Sequence, residues 1–233
     1  NKHEISFKGK FSKNISKNNT VSKLLDVLEE KKLLKNQKFQ IKINKHIPNK
    51  AGLGGGSMNA ANILNYFVRK KIVKSSKKGL VKISKLVGSD VVLGLNPTYS
   101  ILTSKNQIKR FQNCETFFTL IVKPNFGCST KDVFKKVRKF HKPKFNQPHK
   151  SMFNIDYLKT VNNSLESVVL SKNLKLRKIK LFLQNLSNPV FVRMTGSGSA
   201  LVAYYQSKDS CENAKIQFNK KYKNYWCIAS KTI

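Results

Sequence analysis

Acidic residues are scarce: the 233-residue chain carries 11 Asp and Glu against 46 Lys and Arg, a formal net charge of +35. Cysteine is also rare. Cys114, Cys128, Cys211 and Cys227 form no C-x-x-C pair and have no His at zinc spacing, which excludes a sequence-local zinc site. Four isolated thiols are expected to be buried in a reducing compartment. Long apolar runs are missing too. The densest, Phe117 to Val122, is far short of the roughly 20 residues a spanning helix needs, so no membrane partner is expected. The start, Asn1-Lys2-His3-Glu4-Ile5, lacks both an initiator Met and an apolar signal segment. The chain therefore reads as a fragment or processed product, expected in the cytoplasm.

What is present is a folded protein. Residues are 39% hydrophobic and 10% aromatic, and they recur periodically, which excludes intrinsic disorder. The length suits one large domain or two small ones. The positive charge invites a nucleic-acid reading, but the lysines are spread among Asn and Ile along the whole chain. We read them as a compositional bias, with nucleic acid not expected as a partner and small anionic substrates attracted by the field.

Strand and helix periods alternate without a repeat. Val21, Leu24, Leu25 and Leu28 make a helical stripe within Thr20–Leu34, and Phe39, Ile41 and Ile43 alternate as a strand. After Pro48 and a glycine cluster, Ala60, Ala61, Leu64, Phe67 and Val68 resume a helical face. Leu80, Ile83 and Val87 predict a helix ended by Gly88 as a left-handed cap. Tyr99, Ile101 and Ile108 read as short strands and Phe117–Val122 as a buried one. Helices are predicted over 132–140, 156–171 and 175–186, then strands over 190–194 and 200–205. Asp209 and Glu212 have capping-box spacing for a helix to about Lys221, and Trp226–Ile228 predicts a last strand. This order means α/β or α+β, in two lobes meeting near Cys114.

Gly52-Leu53-Gly54-Gly55-Gly56-Ser57 is the strongest local signal. Its glycines allow close backbone approach and positive φ, and the helix after them offers free N–H groups and a positive dipole end, a phosphate cradle. A flexible turn is the plainer alternative. The run is not a Walker A loop, and Ser57 stands where G-x-G-x-x-G needs its last glycine. Thr195-Gly196-Ser197-Gly198-Ser199 is a second small-residue loop, which a tight hairpin explains nearly as well. Asp90 follows Gly88-Ser89 and reads either as a helix cap or as the carboxylate that deprotonates an acceptor hydroxyl in phosphoryl transfer. His3, His46, His141 and His149 have no neighbouring constellation and read as surface or core residues.

Pro48-x-x-x-Gly52-Leu53-Gly54-Gly55-Gly56-Ser57-x-Asn59-Ala60-Ala61 resembles the nucleotide loop of the GHMP kinases. Its triple glycine and Ser-x-Asn-Ala-Ala resemble, within them, the family of 4-diphosphocytidyl-2-C-methyl-D-erythritol kinases. Gly88-Ser89-Asp90-Val91 and Arg193-Met194-Thr195-Gly196-Ser197-Gly198-Ser199 are similar to that family's other two motifs, in the same order. The resemblance implies an α+β, two-lobed GHMP kinase fold. A ribosomal-protein-like nucleotide lobe would span 1–113, without its first strands, and a ferredoxin-like lobe 114–233 would close over the substrate.

The activity implied is ATP-dependent phosphorylation of the 2-hydroxyl of the cytidine-diphosphate-linked methylerythritol, in the non-mevalonate route to isoprenoid precursors. The alternatives are another small-alcohol kinase of the group, or an inactive basic nucleic-acid-binding relic of the fold. Pro48, Gly52, Leu53, Gly54, Gly55, Gly56, Ser57 and Asn59 would bind ATP, and Asp90 would be the base. Thr130, Gly196, Ser197 and Gly198 would contact substrate, with Phe134 stacking on the cytosine unless it packs in a helical core. Mg²⁺ is expected, with Ser57 as its possible ligand. The sequence departs from the family pattern at Met58, usually Ser, and at Val92, usually Pro. The family's opening Lys-x-Asn and Gly-Tyr-His segments are not found, so no catalytic Lys is assigned.

Overall fold

The computed structural model describes residues 2–138 and 142–233. His141 and the end of the helix expected to Phe140 lie outside the described residues. The chain folds as two compact units. The first holds residues up to Asn49 and then Gly54–Pro97; the second holds Lys50–Leu53 and Thr98–Ile233. The partition falls at Pro97, upstream of the expected boundary at Asn113, because Tyr99 to Phe111 groups with the second unit.

In the first unit, strand β1 (Glu4–Lys8) is followed by helix α1 (Thr20–Glu30), strand β2 (Gln40–Asn44) and helices α2 (Gly55–Arg69) and α3 (Lys77–Val87). A 3-10 turn over Val91–Leu95 ends it. β1 and β2 pair in parallel, Ile5 opposite Ile41 and Phe7 opposite Ile43, so alternate residues face the helices. Asn19 caps α1 in a reciprocal box with Ser22. The core is the apolar stripe of α1 (Leu24, Leu25, Leu28) against Ala60, Ala61, Leu64 and Phe67 of α2 and Ile83 and Val87 of α3. Small Ala60 and Ala61 let the helices approach closely.

In the second unit, β3 (Tyr99–Leu102) and β4 (Ile108–Phe111) form a hairpin. There follow β5 (Phe118–Lys123), α4 (Thr130–Lys135), a 3-10 turn over Lys150–Phe153, α5 (Ile155–Thr160), α6 (Glu166–Lys172) and α7 (Leu174–Gln184). Next come β6 (Phe191–Met194), β7 (Leu201–Tyr205), α8 (Lys208–Lys221) and β8 (Trp226–Lys231). The sheet order is β6-β7-β5-β8, with every pair antiparallel. Two helical crossovers and one hairpin connect it, which is the ferredoxin-like plan. Leu120, Val122, Leu201, Ala203 and Tyr205 of the sheet pack on Leu176, Ile179 and Leu183 of α7 and Ala214 and Phe218 of α8.

Several local readings need correction. Gly88 does cap α3, but with φ 178°, in extended backbone and not the left-handed region. Ser207, not Asp209, caps α8, accepting from Ser210 N. The single helix expected over 156–171 is two, α5 and α6, separated where Asn163 turns the chain: its Oδ1 accepts from Leu165 N at 3.0 Å. Only Cys211 of the four free thiols is fully buried. β1 went unread because a single short Glu-Ile-Ser-Phe-Lys alternation amid lysines carries little signal. The helices, segregated from mostly antiparallel sheets, make the class α+β. Among the described residues no helix is long and apolar enough to cross a membrane.

Candidate active site

The glycine run divides between the units. In the first, Gly54 is the N-cap of α2 at φ 65° and contributes no side-chain cap, so the first-turn N–H groups of a 15-residue helix have no side-chain acceptor. No acid lies in that turn. A Cβ on Gly54 would meet nothing within 4 Å, and the space before the helix is open. Together these offer an anion N–H donors and the positive end of the dipole. Ser57 and Asn59 are half-buried in the same first turns, and Pro48 is buried upstream. Ser57 Oγ has no hydrogen-bond partner among the described residues.

Lys45 was not singled out from the sequence, where it is one lysine among many. It stands just after β2 and is 8% exposed. Its Nζ lies 3.7 Å from where a Cβ on Gly55 would be. Burial pushes its pKa below the usual lysine value.

Asp90 occupies the N-cap position of the 3-10 turn over Val91–Leu95, yet its side chain caps nothing there. It is exposed, and Ser89 Oγ donates to its Oδ1 at 3.2 Å. Val91, Val92 and Gly94 bury the turn behind it. Asn65 Nδ2 donates to Gly94 O at 3.2 Å, and a Cβ on Gly94 would stand 2.7 Å from Ala61 Cβ. The backbone presenting Asp90 is thus fastened to α2, the helix whose uncapped N-terminus offers those N–H donors.

In the second unit, β6 and β7 are joined by the small-residue loop at Thr195–Ser199. This is a hairpin connection, as the plainer alternative has it, but it is also tied to the start of the other glycine run. Thr195 Oγ1 donates to Gly52 O at 3.0 Å, and Ala200 N donates to Ala51 O at 3.1 Å. Gly52 (φ 71°) and Gly196 (φ 51°) face each other: a Cβ on Gly52 would be 2.3 Å from Thr195 O, and one on Gly196 would be 2.8 Å from Gly52 O. Asn163 Nδ2 braces the loop by donating to Met194 O and Gly196 O at 2.8 and 2.7 Å. Glu166, almost fully buried, pairs with Lys180 and accepts from Met194 N at 2.8 Å.

Ser197 Oγ and Thr130 Oγ1 share a hydrogen bond of 2.8 Å, which joins the loop to the start of α4. Phe134, on the same short helix, is 50% exposed while Val133 is the buried residue. Core packing does not account for Phe134. Leu53 is half-buried beside Gly52. Among the described residues no group of three or more His, Cys, Asp or Glu could hold a metal ion.

Residues 19–101 match the GHMP kinases N terminal domain. The chain is 54% identical over 231 residues to the 4-diphosphocytidyl-2-C-methyl-D-erythritol kinase of Pelagibacter ubique (strain HTCC1062), covering 99% of this chain and 82% of that one. It is 30% identical to the kinase of the same name from Clostridium tetani (strain Massachusetts / E88), over 83% of this chain and 71% of the relative. A crystal structure of 4-(cytidine 5'-diphospho)-2C-methyl-D-erythritol kinase superposes with a TM-score of 0.74 at 20% identity, covering 98% of this chain and 82% of that one. The homoserine kinase of Cytophaga hutchinsonii ATCC 33406 shares the fold at a TM-score of 0.66 and 15% identity, over 100% of this chain and 82% of that one. By its identity to the Pelagibacter relative over nearly its whole length, the chain belongs to the 4-diphosphocytidyl-2-C-methyl-D-erythritol kinase family of GHMP kinases.

Proposed function

We infer that this protein is an ATP-dependent kinase that phosphorylates the 2-hydroxyl of 4-(cytidine 5'-diphospho)-2-C-methyl-D-erythritol, in the non-mevalonate route to isoprenoid precursors. The observation that carries this reading is the 54% identity to a kinase of that name.

The residues divide the chemistry between them. Backbone N–H groups of Gly55, Gly56 and Ser57, at the uncapped start of α2, receive the ATP phosphates, and the dipole opposes their charge. Pro48, Gly52, Leu53, Gly54 and Asn59 shape the nucleotide loop. Asp90 takes the proton of the acceptor hydroxyl as its oxygen bonds to the γ-phosphorus and ADP leaves. What supports this role is an exposed carboxylate free of cap duty, fixed by a buried turn. Phe134 offers a ring face to the cytosine, and Thr130, Gly196, Ser197 and Gly198 form a braced polar wall for the substrate.

Phosphoryl transfer ordinarily uses Mg²⁺ to neutralise phosphate charge. The fit here is modest. The Ser57 hydroxyl, without a partner among the described residues, would hold a phosphate-bound ion, and among those residues no group of three or more His, Cys, Asp or Glu would bind one without nucleotide.

The deciding experiment supplies ATP with the cytidine diphosphate substrate, homoserine or mevalonate and follows ADP release and the phosphorus-31 spectrum of the product. Transfer to the cytidine substrate at the highest kcat/KM is expected. Preference for one of the other alcohols would keep the kinase and move its substrate.

A further inference from the structure

We propose that the cavity along the outer edge of β6 is a second ligand site, taking a small phosphorylated molecule with an apolar body. It lies wholly within the second unit, and none of its lining residues is among those assigned above to nucleotide or substrate.

The cavity holds about 1060 Å³, at the upper end of the range for small-molecule sites. Strand β6 bounds it on one side, with residues 142–145 and helices α6 and α7 around the rest. Its inner lining is apolar: Val161 and Val192 are buried, and Leu170 and Phe191 half-buried. Its exposed lining carries Lys142, Lys144 and Lys159.

Lysine is abundant throughout this chain, so three exposed lysines would mean little without Arg193, one of five arginines. Arg193 is half-buried, its guanidinium 4.6 Å from the centroid of the Phe191 ring, which in turn stacks on Tyr204. Of its three nitrogens only Nη2 has a hydrogen-bond partner among the described residues, donating to Leu158 O at 2.6 Å. Burial works against the charge and lowers the pKa, while Tyr204 and Glu166 oppose that shift. A guanidinium does not shed its proton in a protein, so the remaining donors call for an acceptor.

Glu166 does not meet that need. It is the single acid of the lining, and its oxygens are taken by Lys180 and by Met194 N. Lys142, Lys144, Lys159 and Arg193 form no ion pair among the described residues. The strand edge adds a further donor. Met194 turns its N–H and C=O away from β7, to Glu166 and Asn163. Alternation along an antiparallel strand turns Val192 the same way, and Val192 has no hydrogen bond outside its sheet among the described residues.

Four cationic side chains and a strand-edge N–H thus converge on one cavity without a counter-ion. A phosphate group satisfies them, since its oxygens accept two parallel bonds from a guanidinium and further bonds from ammonium groups. Inorganic phosphate alone would leave Leu170, Phe191 and Val192 against water, so the matching ligand carries an apolar body as well.

The test titrates 1-naphthyl phosphate into the protein by fluorescence, with 1-naphthol and inorganic phosphate as the two halves of the probe. ADP and the cytidine diphosphate substrate are present throughout, a pair that fills the candidate active site and cannot react. Saturable binding of the whole probe is expected, at least about 10-fold tighter than of either half. Arg193→Met should weaken it roughly 10- to 150-fold. Lys144→Ala with Lys159→Ala should weaken it roughly 2- to 30-fold, and this exposed pair decides the question should Arg193→Met fail to fold. Lys175→Ala with Lys178→Ala removes the same charge from the exposed face of α7 outside the cavity and should change nothing. No saturable binding, affinity indifferent to the cavity variants, or an equal loss in the α7 pair overturns the proposal, the last by showing only the general attraction of a basic protein for anions.

Discussion

Thr195 Oγ1 donates a hydrogen bond to the carbonyl of Gly52 across 143 residues of sequence, joining two glycine loops that sequence order keeps far apart. Two glycines of one run consequently do different work. Gly52 is packed against Thr195 O and Gly198 N, whereas Gly54 faces open space.

Alanine separates these roles. Gly52→Ala must place a Cβ 2.3 Å from a backbone oxygen at φ 71°, and about 2–3 kcal/mol of stability should be lost. Gly54→Ala meets no such wall and should cost only the left-handed conformation, about 1 kcal/mol. Its larger effect should be on ATP binding. Urea denaturation and nucleotide titration of the two variants check this contrast.

Asp90→Asn keeps the shape of the side chain and removes its basicity. If Asp90 is the base, kcat should drop roughly 10²- to 10⁴-fold while ATP affinity and melting temperature hold. Among the described residues its carboxylate receives only a bond from neighbouring Ser89, so little structural loss is expected. Wild-type turnover by the variant would remove Asp90 from the mechanism.

Phe134 is half exposed on a helix whose buried residue is Val133. Phe134→Ala should therefore leave stability nearly unchanged. Loss of base stacking should raise KM for the cytidine substrate by about 1–3 kcal/mol in binding terms. Val133→Ala should do the reverse, lowering stability with little change in KM.

Burial pushes the Cys227 thiol up to about 12, beyond what nearby Lys215 offsets, with Cys211 and Glu212 adding to the rise. A proton held more tightly in the fold than in the unfolded chain means stability present below the unfolded thiol's pKa and lost as pH rises through the folded value. Between about pH 8.5 and 12 the wild type should therefore weaken relative to Cys227→Ala. Melting curves of both proteins at pH 8 and pH 10 measure the change in their difference.

The candidate site was legible where its requirements are local. A phosphate cradle needs glycines in one contiguous run before a helix, and Gly54–Ser57 can be read from seven consecutive residues or fewer. Asp90 stood out because acids are rare here, and in the structure its side chain makes no capping bond. Lys45 could not be found that way. Nothing separates it from the surrounding lysines except what packs around it.

By itself the sequence determined a mixed helix-and-strand class, the helical stripes of α1 and α2, the order of the three motifs and the family they resemble, since all of these are written in short-range spacing. Only the tertiary structure decided that Gly52 meets Thr195, that Phe134 lies outside the core, and that the buried Lys45 side chain, unlike that of Lys123, has no acceptor among the described residues. Those facts depend on contacts between distant segments, and no local pattern of side chains encodes which partner a folded chain will bring to a given residue.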